Sequence, residues 1–272
     1  MNVEDIKKRY PDIGLKELSK HFPRIPMSDY PELSEYSWED CHKGVLGAGG
    51  LFLTSDMVRM IEVKEGMRIL DLGAGHCSTS IFLAKRYEAK VIAADLKVDP
   101  SENWNRIKEA GVADSVTPIK MDAHNIPFAK GYFDAVFCMN SYLYFGTGDP
   151  YLSYLVQFLR RGGRICIASP CYASELTSET PSEFLEEDSI AYHSPSWWQH
   201  HFEKTELVNL LHCKQHPKGR ELWLDMVRWL IEECHPGKRD KGMRGMILHD
   251  IVMLLNDKQR FVTYFMLLAE KK

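Results

Sequence analysis

The segment Ile69-Leu70-Asp71-Leu72-Gly73-Ala74-Gly75-His76-Cys77-Ser78, followed by an apolar run ending in Asp95, limits the possible folds of this chain more than any other part. A short apolar run before a glycine pair reads as a buried strand. Gly73 and Gly75 let the backbone turn sharply and approach a ligand closely, and the amides that open the next helix can meet an anionic group. The second apolar run leaves Asp95 at a strand end, placed to accept hydrogen bonds from two ribose hydroxyls. Strand, glycine turn, helix, strand and acid together form the layout of a nucleoside-cofactor site at the edge of a parallel sheet.

Asp71 narrows the ligand. Dinucleotide-binding loops continue G-x-G-x-x-G and avoid a carboxylate beside the turn, because it repels a pyrophosphate. Here the third glycine is replaced by Ser78, and Asp71 stands two residues before the first glycine. The loop suits a ligand bearing an ammonium group and one carboxylate better than one bearing phosphates. D-x-G-x-G with a later acid resembles the S-adenosyl-L-methionine site of class I methyltransferases. The resemblance implies S-adenosyl-L-methionine as cofactor and S-adenosyl-L-homocysteine as product. It places Asp71, Gly73 and Gly75 around the methionine part and Asp95, with Leu96, at the ribose.

Three later segments continue the resemblance. Val116 to Met121 leads to Asp122-Ala123-His124, similar to the family's third strand end, where the acid reaches the adenine amine. Tyr132-Phe133-Asp134-Ala135-Val136-Phe137-Cys138-Met139-Asn140 stands in the fourth-strand position, which puts Asn140 at the end facing the methyl group. Leu159 to Ala168 resembles the helix, Gly-Gly turn and fifth strand. Gly49, in Gly47-Ala48-Gly49-Gly50, is expected to approach the methionine end.

The expected fold is therefore α/β: a Rossmann-like, doubly wound, seven-stranded sheet, mostly parallel with an antiparallel last strand, plus helical cap elements. Strands are expected at 68–72, 91–95, 116–121, 132–140, near 164–168, 207–213 and 261–269. Helices are expected at 54–63, 78–86, 101–110, 151–159, 220–233 and 243–255. Residues 1–45, broken by Pro11, Pro23, Pro26 and Pro31, read as a helical N-terminal extension. Residues 46–272 read as the methyltransferase domain, with caps at about 171–200 and 214–258.

The balance of 34 Lys and Arg against 38 Asp and Glu, without a long basic block, argues against a nucleic-acid partner. No stretch approaches the ~20 apolar residues needed to span a bilayer, and residues 1–10 lack a leader's apolar core. Seven cysteines without a C-x-x-C pair suit a reduced, cytoplasmic protein. His212, Cys213 and His216 lack tetrahedral-site spacing, so no metal is expected. A monomer or homodimer is expected.

The reaction implied by the resemblance is direct SN2 displacement, in which the enzyme mainly aligns a nucleophile and excludes water. After the fourth strand the chain reads Asn140-Ser141-Tyr142-Leu143-Tyr144, unlike the N-P-P-Y or D-P-P-Y of enzymes that methylate exocyclic base nitrogens. The acceptor is therefore expected to be a small molecule. Tyr142 and His193 are the candidate catalytic residues, one lining the acceptor pocket and the other acting as a base; packing is the competing role for both. His42 and Tyr144 are further candidates, and Trp197, Trp198, Trp223 and Trp229 suit either an acceptor cap or the core. Two other functions stand beside it: a non-catalytic S-adenosylmethionine-binding sensor or scaffold, which the same residues fit because they bind cofactor and do not move the methyl, and a nicotinamide-dependent oxidoreductase, which Asp71 and the missing third glycine disfavour.

Overall fold

A computed structural model of the chain describes residues 19–178, 180, 191–233, 250, 253–254, 257 and 260–272. Helices α1 (Trp38–His42) and α2 (Gly50–Met60) precede β1 (Arg68–Leu72). There follow α3 (Ser78–Tyr87), β2 (Lys90–Asp95), α4 (Pro100–Glu109), β3 (Val116–Lys120), β4 (Phe133–Met139), α5 (Tyr151–Leu155) and β5 (Leu159–Tyr172). The last elements are α6 (Pro195–Glu203), β6 (Val208–Gln215), α7 (Gly219–Glu233) and β7 (Val262–Lys271). Met27–Asp29 and Pro31–Leu33 form single 3-10 turns. Of the segments expected from sequence, 1–18, most of 243–255 and most of 179–190 lie outside the described residues.

The seven strands form one sheet in the order β3-β2-β1-β4-β5-β7-β6. Pairings from β3 through β5 are parallel, and β7 runs antiparallel to both β5 and β6. β6 and β7 are neighbours joined by a long connection that contains α7, so they do not form a tight hairpin. Alternation along β1 serves both faces: Ile69 joins one hydrophobic cluster with Met57, Phe82 and Val91, while Leu70 and Leu72 join the other with Val136, Ile165 and Phe265.

Local chemistry sets several boundaries. Pro100 opens α4 behind Asp99, whose side chain accepts from the Ser101 amide; Pro195 opens α6 behind Ser194, which accepts from the Trp197 amide. Three expectations need correction. The helix placed at 54–63 is Gly50–Met60, since Gly49 at φ +81° turns the chain and Gly50 lies directly against the Cys41 carbonyl, where a side chain has no room. The helix expected at 151–159 stops at Leu155 and tightens to a 3-10 turn over Val156–Phe158. Gly162 and Gly163 do not separate a helix from a strand; they sit inside β5, where the register against β4 shifts between Phe133 and Ala135.

The tryptophans resolve the same way. Trp198 stacks on Phe265 with ring centroids 5.6 Å apart, and Trp223 packs edge-on against Tyr264 at 5.4 Å, so both are core residues. Phe265 is fully buried at the middle of β7. Phe265→Ala is expected to cost about 3–5 kcal/mol, read from urea unfolding.

Candidate active site

β1 and β4 lie side by side while the chain leaves them in opposite directions, which makes their carboxyl ends the switch point of the sheet. A cavity of about 600 Å³ opens there. Its walls hold Asp71, Gly73, Gly75, Asp95, Leu96, Asp122, Ala123 and Asn140, together with Lys97, His124, Ser141, Tyr144 and the loop 44–47.

Gly73, at φ +80°, leaves β1 with no room for a side chain, because a Cβ would collide with Ser141. Ser141 in turn donates to the Leu72 carbonyl at 2.6 Å. The amides of Gly73 and Ala74 donate to the Ala94 carbonyl, at 2.8 and 3.0 Å, so the turn is tied to β2 as well. Asp95 organises both loops around it. One carboxylate oxygen accepts the Gly75 amide at 2.9 Å, and the other accepts the amides of Lys97 and Val98 at 2.8 and 2.9 Å. Asn103 on α4 supports the turn from behind, its Nδ2 donating to the Gly75 carbonyl at 2.8 Å.

Asp71 is 1% exposed and accepts a 2.6 Å hydrogen bond from the Ser80 hydroxyl. Burial, augmented by the charge of Asp95, pushes its carboxyl up to about 7. Asp122 is exposed, and its carboxylate accepts from the His124 amide at 2.8 Å and meets that ring's Nδ1 at 3.1 Å. These hydrogen bonds hold its carboxyl below the usual range.

Asn140 ends β4 at φ +62°, with its Nδ2 donating to the Ala48 carbonyl at 3.0 Å. This contact ties the loop 44–50 across the cavity. Gly47 faces Asn140 and Leu46 covers Gly75, whereas Gly49 lies outside the cavity wall, against Leu53. Gly49, expected at the methionine end, does not line the cavity, whereas Gly47 and Gly50 do.

Neither candidate catalytic residue reaches the cavity wall. Tyr142 is fully buried among Trp198, Phe202, Phe145 and Tyr151, and its hydroxyl has no hydrogen-bond partner. The 3-10 turn over Tyr142–Tyr144 points the first ring into the core and leaves Tyr144, 71% exposed, on the cavity side. His193 stacks on Trp197 at 3.8 Å, and its Nδ1 lies 3.3 Å from Glu175, away from the cavity wall. His42 is buried beneath the loop. Among the described residues no cluster of three His, Cys, Asp or Glu is arranged to hold a metal, and no helix is long and apolar enough to cross a membrane.

Sequence reasoning missed Ser80, Asn103, Ser141 and the Leu46–Gly47 lip. Their partners lie 9 to 93 residues away, so no local pattern marks them.

Comparison with known proteins agrees with this fold. Residues 69–163 match the family model described as a methyltransferase domain. Over 124 residues the chain is 27% identical to methyltransferase GfsG of Streptomyces halstedii, covering 45% of each protein. Over 184 residues it is 29% identical to a probable chloroplastic tocopherol O-methyltransferase of Oryza sativa subsp. japonica, covering 58% of this chain and 50% of that protein. The chain thus spans about half the length of these curated relatives. The Haemonchus contortus phosphoethanolamine N-methyltransferase 2 complex with S-adenosyl-L-methionine superposes with a TM-score of 0.71 at 17% identity, covering 91% of this chain and 60% of that one.

The fold and the glycine turn are those of a class I methyltransferase. Residues 69–163 match a methyltransferase domain, and the fold is that of a solved methyltransferase in complex with S-adenosyl-L-methionine. The residues present fit that cofactor: three acids on the wall face one Lys97, and the buried Asp71 complements an ammonium group where a pyrophosphate would be repelled.

Two outcomes follow. Because the Asp71 carboxyl rises on folding, the native state binds its proton more tightly than the unfolded chain does. Its contribution to stability is therefore full below about pH 4 and is lost as pH rises through about 7. Asp71→Asn should lack that decline, seen as a ligand-free melting-temperature difference from the wild type that changes sense or size between pH 4 and 8. Tyr142→Phe removes a buried, unpaired hydroxyl and should leave stability unchanged or raise it by up to about 1 kcal/mol in urea unfolding.

Proposed function

We propose that the chain transfers a methyl group from S-adenosyl-L-methionine to a small-molecule acceptor by direct SN2 displacement. The observation that carries this reading is the convergence of Asp71, Asp95 and Asp122, from the ends of three successive strands, on the cavity that Gly73 and Gly75 open.

When bound, the cofactor supplies an electrophilic methyl on a sulfonium. Asp71 holds its ammonium group, with Ser80 fixing the carboxylate. Gly73 and Gly75 let the backbone lie against the methionine part. Asp95, with Leu96, takes the ribose hydroxyls while continuing to order the Gly75 and Lys97 amides. Asp122 and Ala123 meet the adenine, and His124 holds the Asp122 carboxylate in place. Asn140 and the loop 44–50 close the methyl side and exclude water; Tyr144 borders the acceptor.

The dominance of carboxylates on the cavity wall disfavours a phosphodiester chain and supports a small acceptor, with no nucleic-acid partner. Relatives of this chain include proteins named for phosphoethanolamine, sarcosine/dimethylglycine and tocopherol methylation, so an amine or a hydroxyl is the acceptor class we favour. We read the protein as a cytoplasmic monomer or homodimer.

Calorimetric titration with S-adenosyl-L-methionine, S-adenosyl-L-homocysteine and NAD tests the cofactor. Binding of the first two is expected; NAD binding alone would overturn the reading in favour of an oxidoreductase. Turnover of S-adenosyl-L-methionine with a pool of amines, phenols and alcohols separates an enzyme from a sensor, the sensor being indicated if no member is methylated. An ammonium docking beside Asp71 draws off its proton. At pH 6 binding should release up to about one proton, measured from buffers of different ionisation enthalpy, and Asp71→Asn should release none.

A further inference from the structure

The loop 44–50 is held at its α2 end by Gly49 and Gly50. Its other end depends on a contact that spans most of the chain. Asp225, in the middle of α7, is fully buried. Its carboxylate accepts three donors, all from the segment before the loop. These are the Ile25 amide at 2.9 Å, Trp38 Nε1 at 3.0 Å and, to the second oxygen, His42 Nε2 at 3.0 Å. A carboxylate accepts only, so the His42 proton lies on Nε2.

His42 is the last residue of α1 and stands two residues before Gly44. Its ring stacks on Trp229 of α7 at 5.5 Å and meets Phe52 of α2 edge-on at 5.6 Å. The Cys41 carbonyl beside it lies against Gly50, and the Lys43 carbonyl accepts from Ser78 Oγ at 3.0 Å. Any shift of α1 away from α7 therefore moves the lip that places Leu46 over Gly75 and the Ala48 carbonyl on Asn140.

We infer that Asp225, acting through His42, is a positioning residue for the cofactor site: it anchors α1 to α7 so that the loop 44–50 is held closed over the glycine turn. The inference rests on the proposed function for the ligand it names, but the tether itself does not. Neither side chain touches the cavity, and the effect passes through the backbone between His42 and Ala48. Helix α7 thereby acquires a role beyond covering the sheet, because it carries the acid on which the lip depends.

The test uses the whole 272-residue chain and three substitutions. His42→Phe keeps an aromatic ring among Trp38, Phe52 and Trp229 but removes the His42 donor to Asp225, leaving those of Ile25 and Trp38; His42→Gln restores an amide donor of similar reach. Tyr30→Phe removes a hydrogen bond from the same segment, to Asp56 at 3.1 Å, at a point away from the lip. Calorimetry with S-adenosyl-L-homocysteine should show affinity lowered about fivefold or more in His42→Phe, near wild type in His42→Gln, and unchanged in Tyr30→Phe. Hydrogen exchange without ligand should speed up at amides 44–50 in His42→Phe alone.

Wild-type affinity and wild-type exchange at 44–50 in His42→Phe would overturn the inference. Equal weakening by Tyr30→Phe, or no recovery in His42→Gln, would overturn it too, by showing general loosening of the segment. If the wild type itself bound no S-adenosyl-L-homocysteine, the proposed function would fail, while exchange at 44–50 would still decide the tether.

Discussion

The close approach of Gly73 to Ser141 is the constraint on which the site depends. These residues leave adjacent strands, β1 and β4, at the point where the sheet order reverses, and a side chain at position 73 has no space. Contact between the two turns lets Ser141 bind the Leu72 carbonyl and lets the Gly73 and Ala74 amides reach Ala94. Three strand ends are thereby locked together. The cavity is the groove left around that junction, and its shape follows from backbone packing before any polar side chain is considered.

Electrostatics then selects what the groove can hold. Asp95 is partly satisfied by backbone amides from both loops, so its charge is also structural. Asp71 is different: it is buried, accepts from Ser80 and sits near Asp95, and it retains its proton to about pH 7. A cationic group beside it relieves the cost of the charged form, whereas an anionic group increases it. On the proposed function, the same acid favours an ammonium-bearing nucleoside over a dinucleotide. Closure of the groove is governed elsewhere, by the loop 44–50, whose two anchors lie on α2 and, through Asp225, on α7.

Much of this was legible in the chain as written. The strand–glycine–helix–strand–acid run, Asp122 after the third strand and the buried fourth strand identify a doubly wound sheet, because strand alternation, turn chemistry and strand-end acids are local signals. The residues those signals single out, Asp71, Gly73, Gly75, Asp95, Leu96, Asp122, Ala123 and Asn140, lie on one cavity wall. Tyr142 and His193 show where local reading stops. A tyrosine just after a strand end has two faces available, and a 3-10 turn turned Tyr142 inward and Tyr144 outward. His193 sits in a segment that looks free to fold over the site, but stacking on Trp197 and pairing with Glu175 hold it elsewhere.

By itself the sequence determined the parallel sheet, the glycine turn and the order of the acids along the cofactor groove, since each is set by residues within a few positions of one another. Only the tertiary structure decided which aromatic lines the cavity, which residues brace the turn and what ties the loop 44–50 across it. Ser141 on Leu72, Asn140 on Ala48 and Asp225 on Ile25, Trp38 and His42 join residues 69 to 200 positions apart. Such contacts exist only after the chain has packed, because nothing in a local window encodes the partner of a buried polar group.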